Sequence, residues 1–225
     1  MKIYMIRHGA TKGNRERRYV GSTDEGLLPE EKHKLVRMRR QGGDAEQSKM
    51  PEIQKVYVSP MRRCRETAEL IYPGVPQEIV EDFKECRFGE FEYRNYKELN
   101  GNPHYQRFID TMGECGFPGG ETRSEFQKRC VYGMEKVLSS TMKLRKSKRF
   151  RENGVVPEDE GSIALVVHGG TIMALLDAYS NPHRDYYEWQ IGTGKGFCAN
   201  AKRDAFGGWN FMDIHEILPS GETAH

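Results

Sequence analysis

The sequence predicts an α/β fold: a three-layer α/β/α sandwich around a mostly parallel central sheet, carrying a small helical cap. Three observations predict it. Ile163-Ala164-Leu165-Val166-Val167 is an unbroken apolar run, as expected of a parallel strand buried on both faces. Strand-to-helix junctions recur near residues 3–14, 53–71 and 163–176. Phe126, Cys130, Met134, Val137 and Leu138 form one apolar stripe between Glu121 and about Leu144, which reads as a long amphipathic helix with a core-facing side.

The elements follow in order. Ile3-Tyr4-Met5-Ile6 has the length and residue types of a buried strand, and Gly9 stops it. Thr11 is placed to cap a short helix running toward Asn14. Residues 14–24 form an arginine-rich loop, in which Arg15, Arg17 and Arg18 suit either a solvated surface or a basic rim near a phosphate site. Pro29 opens a helix to about Arg40, with Leu35, Val36 and Met38 inward. Residues 41–51, with Gly42-Gly43, read as a loop. A second strand lies at Val56-Tyr57-Val58. Ser59 is then an expected N-cap, with Pro60 at the first helical position. Met61, Cys64, Ala68 and Ile71 recur at helical spacing behind them. Arg62, Arg63 and Arg65 crowd the N-terminal turns of that helix, where cations are unfavourable for the helix but anions are welcome. A local conflict of that type is expected at a functional site.

Ile79-Val80 is a weak third strand. Residues 85–93 mix carboxylates, aromatics and Gly89, the composition of a loop that lines a pocket. Residues 96–112 read as short helices broken near Asn102-Pro103, and Pro118-Gly119-Gly120 as a turn. Six of the nine residues 143–151 are Lys or Arg. That run reads as a solvated helix end, because Glu158, Asp159 and Glu160 follow it closely and cancel its field. The apolar run 163–167 ends on His168-Gly169-Gly170-Thr171 and a further helix, repeating the layout of strand, histidine, glycine and helix seen at Arg7-His8-Gly9. Residues 196–214 read as a hairpin turning at Gly207-Gly208.

Composition excludes several classes. The 225 residues are 36% hydrophobic and 30% charged, with a formal net charge of +2, so no overall field draws the chain to nucleic acid or to a membrane. No apolar run approaches the roughly 20 residues that span a bilayer. With no apolar leader before the first strand, a cytoplasmic location is expected. The five cysteines are scattered with no CxxC pair, which suits idle thiols in a reducing compartment rather than a disulfide scaffold or a zinc site. One domain over 1–225 is expected, with the cap inserted at about 85–118.

Arg7 and His8 stand side by side at the C-terminal end of the first strand, the edge where open α/β sheets bind ligands. A guanidinium fork suits a phosphate, and a neutral imidazole is a nucleophile. Arg7-His8-Gly9-Ala10-Thr11-Lys12-Gly13-Asn14 resembles the RHGxTxxN signature of the histidine phosphatase superfamily, the phosphoglycerate-mutase-like fold. Four further stretches resemble that family in the same order. Ser59-Pro60-Met61-Arg62-Arg63-Cys64-Arg65-Glu66-Thr67-Ala68 is similar to SPLxRAxQTA, Lys84-Glu85-Cys86-Arg87-Phe88-Gly89 to LxExxFG, Pro118-Gly119-Gly120-Glu121-Thr122 to PxGES, and Val166-Val167-His168-Gly169-Gly170 to VSHGG. Residues 88–99 look most like the small phosphatases labelled α-ribazole phosphatase, which act in cobalamin assembly. Departures are Gly26 for a common proline, Glu31 for a glycine, Cys64 for an alanine, Tyr93 for a glycine, and Thr193 near a usual Asn-Gly-Ser.

The resemblance implies a phosphatase acting through a phosphohistidine. His8 is then the nucleophile, with a backbone carbonyl fixing its tautomer. Arg7, Arg63 and a protonated His168 hold the phosphoryl oxygens with help from Asn14. Glu85 is the acid and then the base. Thr11, Gly169, Arg18 and Tyr93 are expected in substrate binding, with Tyr105 a further pocket candidate. No metal and no cofactor are expected. The expected partner is a small phosphorylated metabolite, with neither nucleic acid nor membrane, and the chain is expected as a monomer or a homodimer. Phosphoglycerate mutase, a non-catalytic phosphate binder and a nucleic-acid binder using 143–151 are the competing readings.

Overall fold

A computed structural model describes residues 1–41, 53–151 and 161–217, without the side chains of 40, 41 and 145–151. Among the described residues six strands form one sheet: β1 (Lys2–Arg7), β2 (Lys55–Val58), β3 (Gln77–Ile79), β4 (Ile163–Val167), β5 (Gly196–Arg203) and β6 (Trp209–Ile217). Their spatial order is β3-β2-β4-β1-β5-β6. β3, β2, β4 and β1 run parallel, and the β5–β6 hairpin adds two antiparallel strands beside β1. β4, the apolar run, lies between β2 and β1 and is buried along its whole length. An edge strand could not bury that run, so its sequence fixes its central place.

Side chains alternate across the sheet and feed two cores. Ile3, Met5, Tyr57, Leu165 and Val167 pack with the helices α5 (Arg123–Arg151) and α6 (Gly169–Tyr179). Ile6, Val56, Val58, Ala164 and Val166 pack on the other face with α2 (Pro29–Gln41) and α3 (Arg62–Ile71). The period of two therefore makes the three layers. Phe126, Cys130, Met134, Val137 and Leu138 of α5 are all buried, as their spacing predicts. Of the three inward residues expected in α2, only Leu35 is fully buried; Val36 and Met38 lie at the margin. α5 continues through Arg151, so the basic run is helical, and its side chains beyond Leu144 lie outside the described residues. So do most of the 41–51 loop and Glu158, Asp159 and Glu160. Among the described residues no helix is long and apolar enough to cross a membrane.

Register places the site. β1 pairs with β4 so that Arg7 faces Val167, and β2 pairs with β4 so that Val58 faces Val166. The next residues, His8, His168 and Ser59, therefore leave three adjacent parallel strands at one sheet edge. The His8 N–H donates to Val167 O at 2.9 Å and the Ser59 N–H to Val166 O at 3.1 Å, which continues the ladder to that edge. Over the edge, residues 81–122 run from β3 to α5 through two short 3-10 turns and one helix, α4 (Pro103–Asp110). Asn102 caps α4, accepting from the N–H groups of His104 and Tyr105.

Candidate active site

Thr11 caps α1 (Lys12–Arg15) with a reciprocal capping box to Asn14, as its position predicts. That short turn reverses the chain after β1 and leaves His8 3% exposed. The His8 and His168 rings meet edge to face, 5.2 Å between centroids. His8 Nδ1 lies 2.7 Å from Gly9 O. A carbonyl only accepts, so Nδ1 carries the hydrogen and Nε2 keeps its lone pair. Burial first, then the Arg63 and Arg7 charges, holds the His8 pKa well below the ordinary imidazole range. His8 is thus neutral at pH 7 with a bare nitrogen, the form a nucleophile requires.

His168 is fixed by a similar argument. The Arg63 Nε–H donates to its Nδ1 at 3.3 Å, and its Nε2 lies 2.7 Å from Ser59 Oγ. Since Arg63 has only hydrogens to offer, Nδ1 accepts and Nε2–H donates to Ser59. Burial, then Arg63, His8 and Arg7, depresses the pKa of this ring too. The expectation of a protonated His168 is therefore corrected: a second hydrogen on Nδ1 would face the Arg63 N–H. Ser59 is likewise not the expected N-cap. α3 starts at Arg62, and the N–H of Arg62 is held by the Asp24 carboxylate at 2.6 Å.

The Arg63 side chain is fully buried. Nη1 donates to Thr23 O at 2.8 Å, and Nη2 donates to Val20 O at 3.3 Å and Gly21 O at 3.0 Å. These carbonyls hold the fork beside His168. Arg7 is held differently. Its Nη1 donates to Ile191 O at 2.6 Å, while its buried Nε–H meets no acceptor among the described residues. The guanidinium lies against Gly169, where a Cβ would come 3.3 Å from its carbon. Gly170 makes the same allowance for Glu85: a Cβ there would come within 2.5 Å of Oε1. The paired glycines after His168 thus leave room for one site residue each.

Glu85 accepts from the N–H of Cys86 at 3.0 Å and of Gly170 at 3.4 Å. Burial raises its pKa against the pull of these bonds and of Arg63 and Arg7. The loop carrying it is clamped by Arg129, which donates to Asp82 O, Lys84 O and Glu85 O and makes a two-pronged pair with Glu121. Glu121 in turn accepts from the Arg87 N–H at 3.0 Å. The Pro118–Glu121 element also packs on Gly89, whose φ of +51° and contact with Pro118 O leave no space for a side chain. A cavity of about 450 Å³ opens over Arg7, Glu85, Gly169, Gly170, Met173 and the Gln190–Gly192 loop.

Several expected binding residues are placed elsewhere. Arg18 and Tyr93 do not line this cavity. Arg18 pairs with Glu16 and Glu98, donates to Tyr93 O, and lies 5.2 Å from the centre of the Tyr93 ring. Tyr93 takes the left-handed conformation, φ +59°, where glycine is at ease. It is kept there by its N–H on Tyr19 O and its hydroxyl on Glu25. The Thr11 hydroxyl is engaged by Asn14 and Glu25, and Asn14 Oδ1 accepts from Thr11. Both therefore hold the loop that positions His8. Tyr105 packs against Tyr19 and Phe91. Nothing in the residue types of the Gln190–Gly192 loop and Met173 announces their place in this wall. Thr67 was visible only inside its motif: its hydroxyl accepts from the Gly9 N–H at 3.0 Å and donates to Arg63 O at 2.7 Å, tying the two halves of the site.

The model of the histidine phosphatase superfamily (branch 1) matches residues 3–196. The chain belongs to the histidine phosphatase superfamily. Among its relatives, the probable phosphoglycerate mutase GpmB of Serratia proteamaculans is 28% identical over 184 residues, covering 78% of this chain and 73% of its own. The uncharacterized phosphatase PhoE of Bacillus subtilis is 27% identical over 180 residues, covering 79% of this chain and 77% of its own. Among solved structures, a candidate α-ribazole-5′-P phosphatase from Escherichia coli K-12 shares the fold with a TM-score of 0.69 at 18% identity, over 94% of each chain. The superfamily's relatives are thus named as both mutases and phosphatases.

Proposed function

We propose that the chain is a phosphomonoester hydrolase that acts through a phosphohistidine on a small phosphorylated metabolite. The observation that carries this reading is the pairing of a neutral His8, its Nε2 bare, with the buried Nε–H of Arg7, which meets no acceptor among the described residues. A buried donor without an acceptor is costly unless a ligand supplies one, and a phosphoryl oxygen does so. His8 Nε2 forms the bond to phosphorus as the bond to the leaving oxygen breaks. Glu85, its carboxyl pushed toward the protonated form, gives its proton to that oxygen. It then takes a proton from the water that cleaves the phosphohistidine and releases phosphate. Arg7 and Arg63 stabilise the charge on the non-bridging oxygens, and His168 orients the Arg63 fork. These cations do the work of a metal, so none is needed. α-Ribazole 5′-phosphate is the first metabolite to screen, from the fold shared with the Escherichia coli structure.

Mutase activity is the second reading, favoured by the name of the Serratia relative. The test is phosphate release from 4-nitrophenyl phosphate in excess chelator, with 3-phosphoglycerate assayed for free phosphate and for its 2-isomer. Phosphate release that survives chelation supports the hydrolase. Isomer formation far faster than phosphate release supports the mutase, and loss of all activity on chelation overturns both.

A further inference from the structure

A second cavity, of about 220 Å³, adjoins the first at Glu85 and does not include Arg7 in its wall. The two share Glu85, Gly170 and Met173 in their walls. The second is an aromatic chamber: Tyr19, Phe88, Phe108, Phe117, Phe126 and Tyr186 face it. Its rings lock each other in place, with Phe88 and Phe117 edge to face at 4.9 Å and Phe108 tilted on Phe117 at 4.5 Å. The side chains of its wall that bear charge are Glu85 and Arg123. Arg123 is already occupied, lying over the Tyr186 ring and pairing with Glu114 at 3.3 Å. Tyr187, also in the wall, donates its hydroxyl to Met112 O at 2.8 Å and so ties the far side of the chamber to the residues that follow α4.

From this geometry we infer that the leaving alcohol is an aromatic or similarly flat apolar group, which enters the ring-lined chamber while its phosphate sits over Arg7. The inference rests on the hydrolase reading and sharpens its substrate. Glu85 stands at the junction, where the leaving oxygen must lie if its carbon skeleton is in the chamber and its phosphorus beside His8. The glycine at 170 keeps that junction open, since a Cβ there would press on both Glu85 and the Phe126 ring. An apolar cavity of about 150 Å³ is enough to take benzene, so this one has room for a larger ring system. A carboxylate or an open hydroxyl-rich chain would give up water here to a wall that is mostly aromatic face, its Tyr186 and Tyr187 hydroxyls and Arg123 already engaged by Gly170 O, Met112 O and Glu114. Small polar phosphates such as phosphoglycerate are therefore poor occupants, and aryl or arylalkyl phosphates good ones.

The test separates apolar recognition from leaving-group chemistry. 3-Phenylpropyl phosphate and n-propyl phosphate release alcohols of nearly equal acidity and differ by one phenyl ring. The wild-type kcat/KM for the first is expected to exceed that for the second by at least about tenfold. Phe117→Ala, or Phe108→Leu if that protein does not fold, is expected to shrink the ratio at least about threefold whatever happens to the absolute rates. Affinities of both phosphates for the non-turning His8→Ala protein, measured by calorimetry, give the same comparison without catalysis. Turnover of both esters at a ratio below about two, or equal affinities for His8→Ala, overturns the inference and leaves the hydrolase reading intact. A tenfold affinity preference in His8→Ala with no turnover by the wild type supports the chamber and overturns the hydrolase.

Discussion

Ser59→Ala tests the claim that His168 is a neutral ring with its hydrogen on Nε2. The substitution removes the oxygen that accepts from that N–H, 2.7 Å away, at two residues that are both fully buried, and leaves it facing Cys64 Sγ at 3.6 Å, a much weaker acceptor. The ring cannot escape by changing tautomer, because a hydrogen on Nδ1 would meet the Arg63 Nε–H. Leaving a buried donor unpaired costs about 1–3 kcal/mol. For a chain of this length about 2 kcal/mol lowers Tm by roughly 4–8 °C. A lost helix cap would cost a similar amount, so stability alone does not decide. The discriminating assay is a long-range 15N–1H spectrum of the imidazoles at pH 7. In the wild type it should show His8 protonated on Nδ1 and His168 on Nε2. In Ser59→Ala the His168 pattern should shift or broaden while that of His8 stays, and Ser59→Thr, which keeps the oxygen, should restore it. A wild-type His168 that is doubly protonated at pH 7, or whose signals ignore Ser59→Ala, refutes the reasoning.

Other outcomes follow from the same geometry. Glu85→Gln should lower kcat for alkyl phosphates by about 10²–10⁴ and for 4-nitrophenyl phosphate far less, since a good leaving group needs no proton. Because the raised pKa of Glu85 must keep its proton for the acid step, wild-type activity on alkyl phosphates should fall as pH rises through that pKa, and this alkaline limb should vanish in Glu85→Gln. His8 and His168 have folded pKa values below their ordinary 6.5, so the unfolded chain binds more protons as the pH drops beneath that value. Their contribution to stability is present above pH 6.5 and is lost below it, at about 1.4 kcal/mol per pH unit for each ring. Urea unfolding at pH 7.5 and 5.5 should show this loss, and His168→Gln should roughly halve the slope; equal stability at the two pH values would contradict the neutral, buried assignment.

Periodicity and strand-end residues made much of this legible. The run 163–167 announces a central strand, and a second strand ending in Arg-His at a glycine announces its partner. Parallel register then aligns the two imidazoles, a step that strand patterns suggest but do not enforce. Thr11 worked as a local signal because capping is decided within four residues. Ser59 misled for the same reason. The cap rule sees only the following turn, while the hydroxyl went to a ring 109 residues away and a distant Asp24 held the helix start. Charge state was hidden as well: protonating His168 looks natural beside an anion until Arg63 is seen to donate to it. Arg18 and Tyr93 read from the sequence as a cation and a ring near the motif, but Arg18 is taken up by Glu16 and Glu98 and the Tyr93 hydroxyl by Glu25. The aromatic chamber escaped notice because Tyr19, Phe88, Phe108, Phe117 and Tyr186 come from well-separated stretches with no shared spacing.

Everything turns on His8 as the group that takes the phosphoryl. Rapid alkaline quenching of enzyme mixed with 32P-labelled 4-nitrophenyl phosphate, followed by peptide mapping, measures this directly. The account predicts base-stable, acid-labile phosphate on His8 in the wild type, more of it in Glu85→Gln where hydrolysis is slowed, and none in His8→Ala. Label that persists in His8→Ala, or that maps to any other residue, would contradict it.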